Sequence, residues 1–111
     1  MTRVNDARAN HGLRRLKFGP RLQRGAHAWA VHLRRTDGFY HASPAPGTSE
    51  VIAWGAPCSW MTPARAVRLW LKSPPHRRAL LDRTAHYVGT GWAAGSWRSY
   101  GCAELAVARF R

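Results

Sequence analysis

Acidic side chains are scarce in this chain. Five Asp and Glu stand against 18 Lys and Arg in 111 residues, a formal net charge of +13. Lysine is scarce too: only Lys17 and Lys72 occur, so the basic excess is almost wholly arginine. A field of this sign attracts polyanions such as nucleic acid, anionic lipid or anionic wall polymer. It equally describes an arginine-rich, solubilising surface. The arginines are spread along the chain and form no compact basic tract. No recognition helix, zinc finger or RNA-binding sheet motif is present, which disfavours nucleic acid as the partner.

Other absences narrow the class further. No apolar run approaches the ~20 residues of a membrane span. Residues 1–10 hold no apolar stretch of the signal-peptide kind, so export requires a leader already removed. No repeat and no low-complexity block occurs. Cysteine is limited to Cys58 and Cys102, whose spacing fits neither a CxxC redox pair nor a four-ligand zinc site. They are read either as a disulfide or as two buried free thiols. A bridge over this span would add about 4 kcal/mol at most and would imply an oxidising compartment. The length suits one domain, residues 1–111, with a modest core. Six Trp and a hydrophobic fraction of 45% argue against a disordered tail.

The residues that are present spell out an order of elements. Thr2 to Asn10 reads as a short helix stopped by Gly12. Lys17-Phe18-Gly19-Pro20 reads as a turn. Leu22, Ala26, Trp29, Ala30 and Leu33 form the apolar stripe of a second helix, from near Pro20 to near Gly38. Phe39 to Thr48 is a loop, Glu50 to Trp54 a short extended piece, and Gly55-Ala56-Pro57 a break. Thr62-Pro63 starts a third helix with a capping hydroxyl and a proline in the first turn. Ala64, Val67, Trp70 and Leu71 give its buried stripe. Ser73-Pro74-Pro75 repeats the device and opens a fourth helix, running to Leu81. His86 to Trp92 and Ser99 to Phe110 read as strands joined by a turn at Ala93 to Ser96. Helices first and an antiparallel sheet late make an α+β layered domain.

The order of these signals resembles the CAP superfamily, the group of cysteine-rich secretory, antigen 5 and pathogenesis-related proteins, in its short bacterial type. Asn5, Arg8, Gly12, Leu13 and Leu16 resemble its opening "N…R…GL..L". His41 stands where the first family histidine follows the second helix. Ser49-Glu50-Val51-Ile52-Ala53 resembles the "GENIA" segment. Ala66-Val67, Trp70 and Ser73-Pro74-Pro75-His76-Arg77 resemble "AV..W..SPxHR", and Val88-Gly89-Thr90-Gly91 resembles "VGVG". The resemblance spans about residues 4–110. It implies a three-layer α-β-α sandwich with a central antiparallel sheet and an open cleft.

In fuller members of that family, two histidines and two glutamates line the cleft and can hold a divalent metal. By position, His41, Glu50 and His76 match three of the four. The second glutamate is replaced, at a position that reads as Ser73. Two imidazoles and a carboxylate can bind Zn²⁺ or another divalent cation and leave a position open for water. His76 falls in the first turn of a helix, where the dipole disfavours imidazolium, so a neutral ring is expected. Glu50 is read both as a cleft carboxylate beside His41 and as an acceptor for loop amides or an arginine. Glu104 is read as a salt-bridge partner, and His11, His27, His32 and His86 as polar surface. Trp29 and Trp70 are read as core. Trp54, Trp60, Trp92 and Trp97 are read as packing residues or as an aromatic-basic face. A Cys58–Cys102 bridge would clamp the cleft-side loops to the sheet.

The resemblance implies a secreted or envelope-associated binding module, and lipid, sterol or wall-polymer ligands are claimed within the family. A divalent-metal hydrolase using His41, Glu50 and His76 is the alternative. A basic polyanion or nucleic-acid binder is the third reading. No Ser or Cys nucleophile arrangement is evident. The chain is expected to be a monomer.

Overall fold

The computed structural model describes residues 1–111. Four helices flank a four-stranded sheet: α1 (Thr2–Asn10), β1 (Lys17–Phe18), α2 (Pro20–Arg35), β2 (Ser49–Gly55), α3 (Pro63–Lys72), α4 (Pro74–Leu80), β3 (Tyr87–Ser96) and β4 (Cys102–Phe110). The sheet order is β1-β3-β4-β2. The pairs β3–β4 and β4–β2 are antiparallel, while β1 runs parallel to β3, so the sheet is mixed.

Alternation along β4 separates the two faces of the sheet. Ala103, Leu105 and Val107 turn toward α2 and meet Ala26, Ala30 and Leu33. Ala106, Ala108 and Phe110 turn the other way, toward α1, α3 and α4, and meet Val4, Val67, Trp70 and Leu80. Two glycines let α2 lie directly on β3. A Cβ on Gly89 would stand 2.1 Å from Gln23 N, and one on Gly91 2.3 Å from His27 N. No side chain fits there, which is the physical content of the Val88-Gly89-Thr90-Gly91 motif.

Helix starts follow the expected chemistry. Thr62 Oγ1 accepts from Arg65 N at 3.1 Å, and prolines open α2, α3 and α4. The opening motif is structural. Asn5 clasps the backbone of Leu16 in both directions, donating to its carbonyl at 3.2 Å and accepting from its amide at 2.8 Å. Arg8 is wholly buried and donates to the carbonyls of Arg14, Leu80 and Asp82, tying α1 to the end of α4.

Two expectations are corrected. Lys17-Phe18 is an edge strand, not part of a turn: Lys17 N donates to His86 O at 2.8 Å and Gly19 N to Val88 O at 2.9 Å. The turn expected at Ala93 to Ser96 lies inside β3, whose register with β4 continues to Ser96↔Cys102. The chain reverses instead through Trp97 to Gly101, where Arg98 and Gly101 take positive φ of 51° and 73°. Trp97 belongs to the core, fully buried, with its indole N–H on Gly38 O at 3.2 Å.

Candidate functional site

The site forms at the β2 edge of the sheet. His41 comes from the loop after α2, Glu50 from the start of β2, and His76 from the first turn of α4. Glu50 and Arg109 are register partners on β2 and β4. Their side chains share the α2 side of the sheet. Gly25 opens a notch there: a Cβ on it would lie 2.5 Å from Arg109 Nη1.

Both carboxylate oxygens of Glu50 are engaged. Oε1 accepts from His41 Nδ1 at 3.1 Å and from Ala42 N at 3.0 Å, and Oε2 accepts from Arg109 Nε at 2.9 Å. The Glu50 side chain is 2% exposed, that of His41 51%. A carboxylate can only accept, so His41 Nδ1 carries the proton and, in the neutral ring, Nε2 is the free lone pair. The His41 and His76 ring centroids lie 5.8 Å apart. Burial, and then the neighbouring His41, hold the His76 imidazolium below the usual histidine range. The neutral ring expected from sequence is therefore supported, with desolvation rather than the helix dipole as its main cause.

The sequence-predicted trio thus comes together, but Glu50 acts as the residue that orients His41. It pairs with Arg109 and a loop amide at once, the structural acceptor role read from the sequence. A carboxylate behind a histidine fixes the ring as a metal's outer partner does. It does not add a third ligand while Arg109 and Ala42 occupy it. No group of three His, Cys, Asp or Glu side chains stands at metal-ligand spacing. The residues present do not fit a three-ligand zinc centre, which needs a carboxylate or third imidazole beside the two rings. Arg109 was not singled out in the sequence; only its register opposite Glu50 reveals it.

Other assignments resolve here. Cys58 and Cys102 form a disulfide. It sits beyond Gly55↔Glu104, at the end of the sheet opposite Glu50↔Arg109, so it does not clamp the cleft-side loops. Glu104 makes no ion pair, since both ion pairs of the chain use Glu50. Trp29 is half-buried against the α2-side core, with its indole N–H on Tyr40 O. Trp54 packs on Trp97 and Tyr100, and Trp60 stacks under Arg65. Trp92 packs half-buried on the core of the other face. His27 and His32 are exposed, as expected. His11 and His86 are exposed and meet Arg77 and Arg14.

Residues 1–109 match the family described as CAP, the cysteine-rich secretory protein family. The chain belongs to the CAP family. Solved structures agree on the fold. An outer surface protein from Borrelia burgdorferi superposes with TM-score 0.77 at 20% identity, over 98% of this chain and 86% of its own. An extracellular SCP-domain protein from Bacillus anthracis superposes with TM-score 0.72 at 20% identity, over 96% of this chain and 37% of its own. None of the curated proteins matches this CAP domain by sequence. At these identities the likeness concerns the fold, and function rests on the site.

Proposed function

We propose that this CAP domain is a bacterial binding module acting outside the cytoplasm or at the cell envelope. Its ligand is an anionic envelope polymer received at the His41–His76 cleft. The observation that carries the reading is the engagement of both Glu50 oxygens by His41, Ala42 and Arg109. That engagement neutralises the one acid beside His41 and His76, so no free carboxylate there repels an anion. A cleft with no free carboxylate and a surrounding charge of +13 favours a negatively charged polymer over a cation.

Two further features support the reading. The Cys58–Cys102 disulfide suits an oxidising compartment. It also occupies both thiols, and neither His41 nor His76 hydrogen-bonds a hydroxyl that could serve as nucleophile. Co-sedimentation with purified bacterial sacculi, with and without their anionic polymer, tests the proposal. At about 0.15 M salt the protein is expected to sediment with intact sacculi and to stay in solution with sacculi stripped of their anionic polymer. His41→Ala/His76→Ala is expected to stay in solution. Equal sedimentation of both proteins at every salt concentration would overturn it.

A further inference from the structure

A groove of about 410 Å³ opens where the first turn of α2 meets the ends of β3 and β4. Arg21, Arg24 and Arg111 line it together with Leu22 and Tyr87. The three arginines come from two segments far apart in sequence, and none has a carboxylate partner, because Glu50 makes both ion pairs of the chain. No acidic side chain borders the groove. The three guanidinium charges outweigh the single negative charge that a terminal carboxylate at Arg111 would add.

The groove also has an apolar side. Tyr87 is 45% exposed and stands with Leu22 on the α2 side of the sheet. It is one of the large apolar side chains the molecule shows to solvent, and it stands beside these arginines rather than apart from them. The walls are held in place. Arg111 exchanges backbone hydrogen bonds with Tyr87 and also accepts from His86 N. The glycine contacts at Gly89 and Gly91 fix α2 against β3. The cleft of His41 and His76 lies at the same end of the sheet but across β4, beyond the far edge strand β2.

We propose that this groove is a second binding site, for a phosphate-bearing amphiphile. Planar guanidinium forks match the several acceptor oxygens of a phosphate, and three of them line this one groove, Arg111 also donating from Nη1 to Thr48 Oγ1 at 3.3 Å. Leu22 and Tyr87 cover the apolar portion next to it. The proposal does not depend on the reading of the cleft.

Calorimetric titration with octyl phosphate below its micelle concentration, at about 0.15 M salt, tests it. Inorganic phosphate and octyl glucoside serve as comparison ligands. A 1:1 complex with octyl phosphate is expected, tighter than with either comparison. Arg21→Gln/Arg24→Gln is expected to weaken it about tenfold or more, and Arg111→Gln, which leaves α2 untouched, to weaken it independently. Arg35→Gln/Arg68→Gln removes the same charge elsewhere and is expected to change affinity by less than about twofold. Equal losses in the two double variants would reduce the site to the general field and overturn the proposal. Octyl glucoside binding as tightly would remove the role of the arginines. Inorganic phosphate binding as tightly would remove that of the apolar wall. Absence of any octyl phosphate complex would overturn it outright.

Discussion

Glu50 and Arg109 lie 59 residues apart in sequence and meet in a 2.9 Å ion pair across neighbouring strands, beneath the notch at Gly25. The carboxylate is almost fully shielded, and the guanidinium is 16% exposed. Removing one partner of such a pair leaves the other charge buried and alone. Arg109→Met is therefore expected to lower stability by about 3 kcal/mol or more, and Glu50→Gln to cost less in the Arg109→Met background than alone. Urea unfolding of the four proteins of the cycle measures the coupling. Additive effects would mean that the pair contributes nothing.

His76 sets an acid-side limit on stability. Its folded-state pKa lies below 6.5, the value of the free group, through burial and then through His41. The unfolded chain therefore takes up the proton first. The contribution is fully present above about pH 6.5 and is lost as pH falls toward and through the folded value. Asp82 is lowered from 3.8, first by hydrogen bonds from Thr84, and its contribution is lost at more acidic pH. Urea midpoints from pH 8 to pH 3 are expected to fall in two stages, and His76→Asn is expected to remove the upper one.

The two glycines under α2 are expected to tolerate nothing larger. In Gly91→Ala the new methyl would meet the backbone of Ala26 and His27 within 2.4 Å. A loss of about 3 kcal/mol or more is expected. Gly12→Ala has open space but a φ of +69°, so it should lose only about 1 kcal/mol. Thermal unfolding of the two variants side by side checks the order.

Reduction of the disulfide is expected to lower stability by up to about 4 kcal/mol, for its 44-residue separation. The His41–Glu50 contact, at the other end of the sheet, should keep its geometry. The histidine NMR resonances of His41 and His76 are expected to hold their positions in Cys58→Ser/Cys102→Ser while the indole signal of Trp97 moves. Large shifts of both histidines would show that the two ends are coupled.

Zinc is expected to bind weakly. Calorimetry on metal-stripped protein should show no tight 1:1 complex, because two imidazoles without a free carboxylate make an incomplete ligand set. A tight complex abolished by His41→Ala or His76→Ala would show that Glu50 leaves Arg109 to join the metal.

Much of the fold is legible in the chain because its signals are local. The stripe from Leu22 to Leu33, the Thr62-Pro63 cap and the Ser73-Pro74-Pro75 break each act within a turn or two of helix, and the elements stand where these residues place them. β1 is not legible. Two residues form a strand only because Asn5 holds Leu16 and the β3 backbone offers partners. The reversal between β3 and β4 was misplaced for a related reason. Ala93 to Ser96 carries turn-forming residues, yet pairing with β4 keeps it extended, and the positive-φ positions Arg98 and Gly101 make the bend.

The sequence by itself determined the helices, the apolar alternation of the strands, the family to which the chain belongs and the trio His41, Glu50 and His76. The helices and strands are read from residue type and spacing along one stretch of chain, whereas the family and the trio come from the resemblance carried by motifs in order over about residues 4–110. Only the tertiary structure decided what Glu50 does, at which end of the sheet the disulfide sits, and that Arg21, Arg24 and Arg111 share a groove. Each of those depends on strand register and helix placement, which bring residues together across most of the chain, and no local propensity records such pairings.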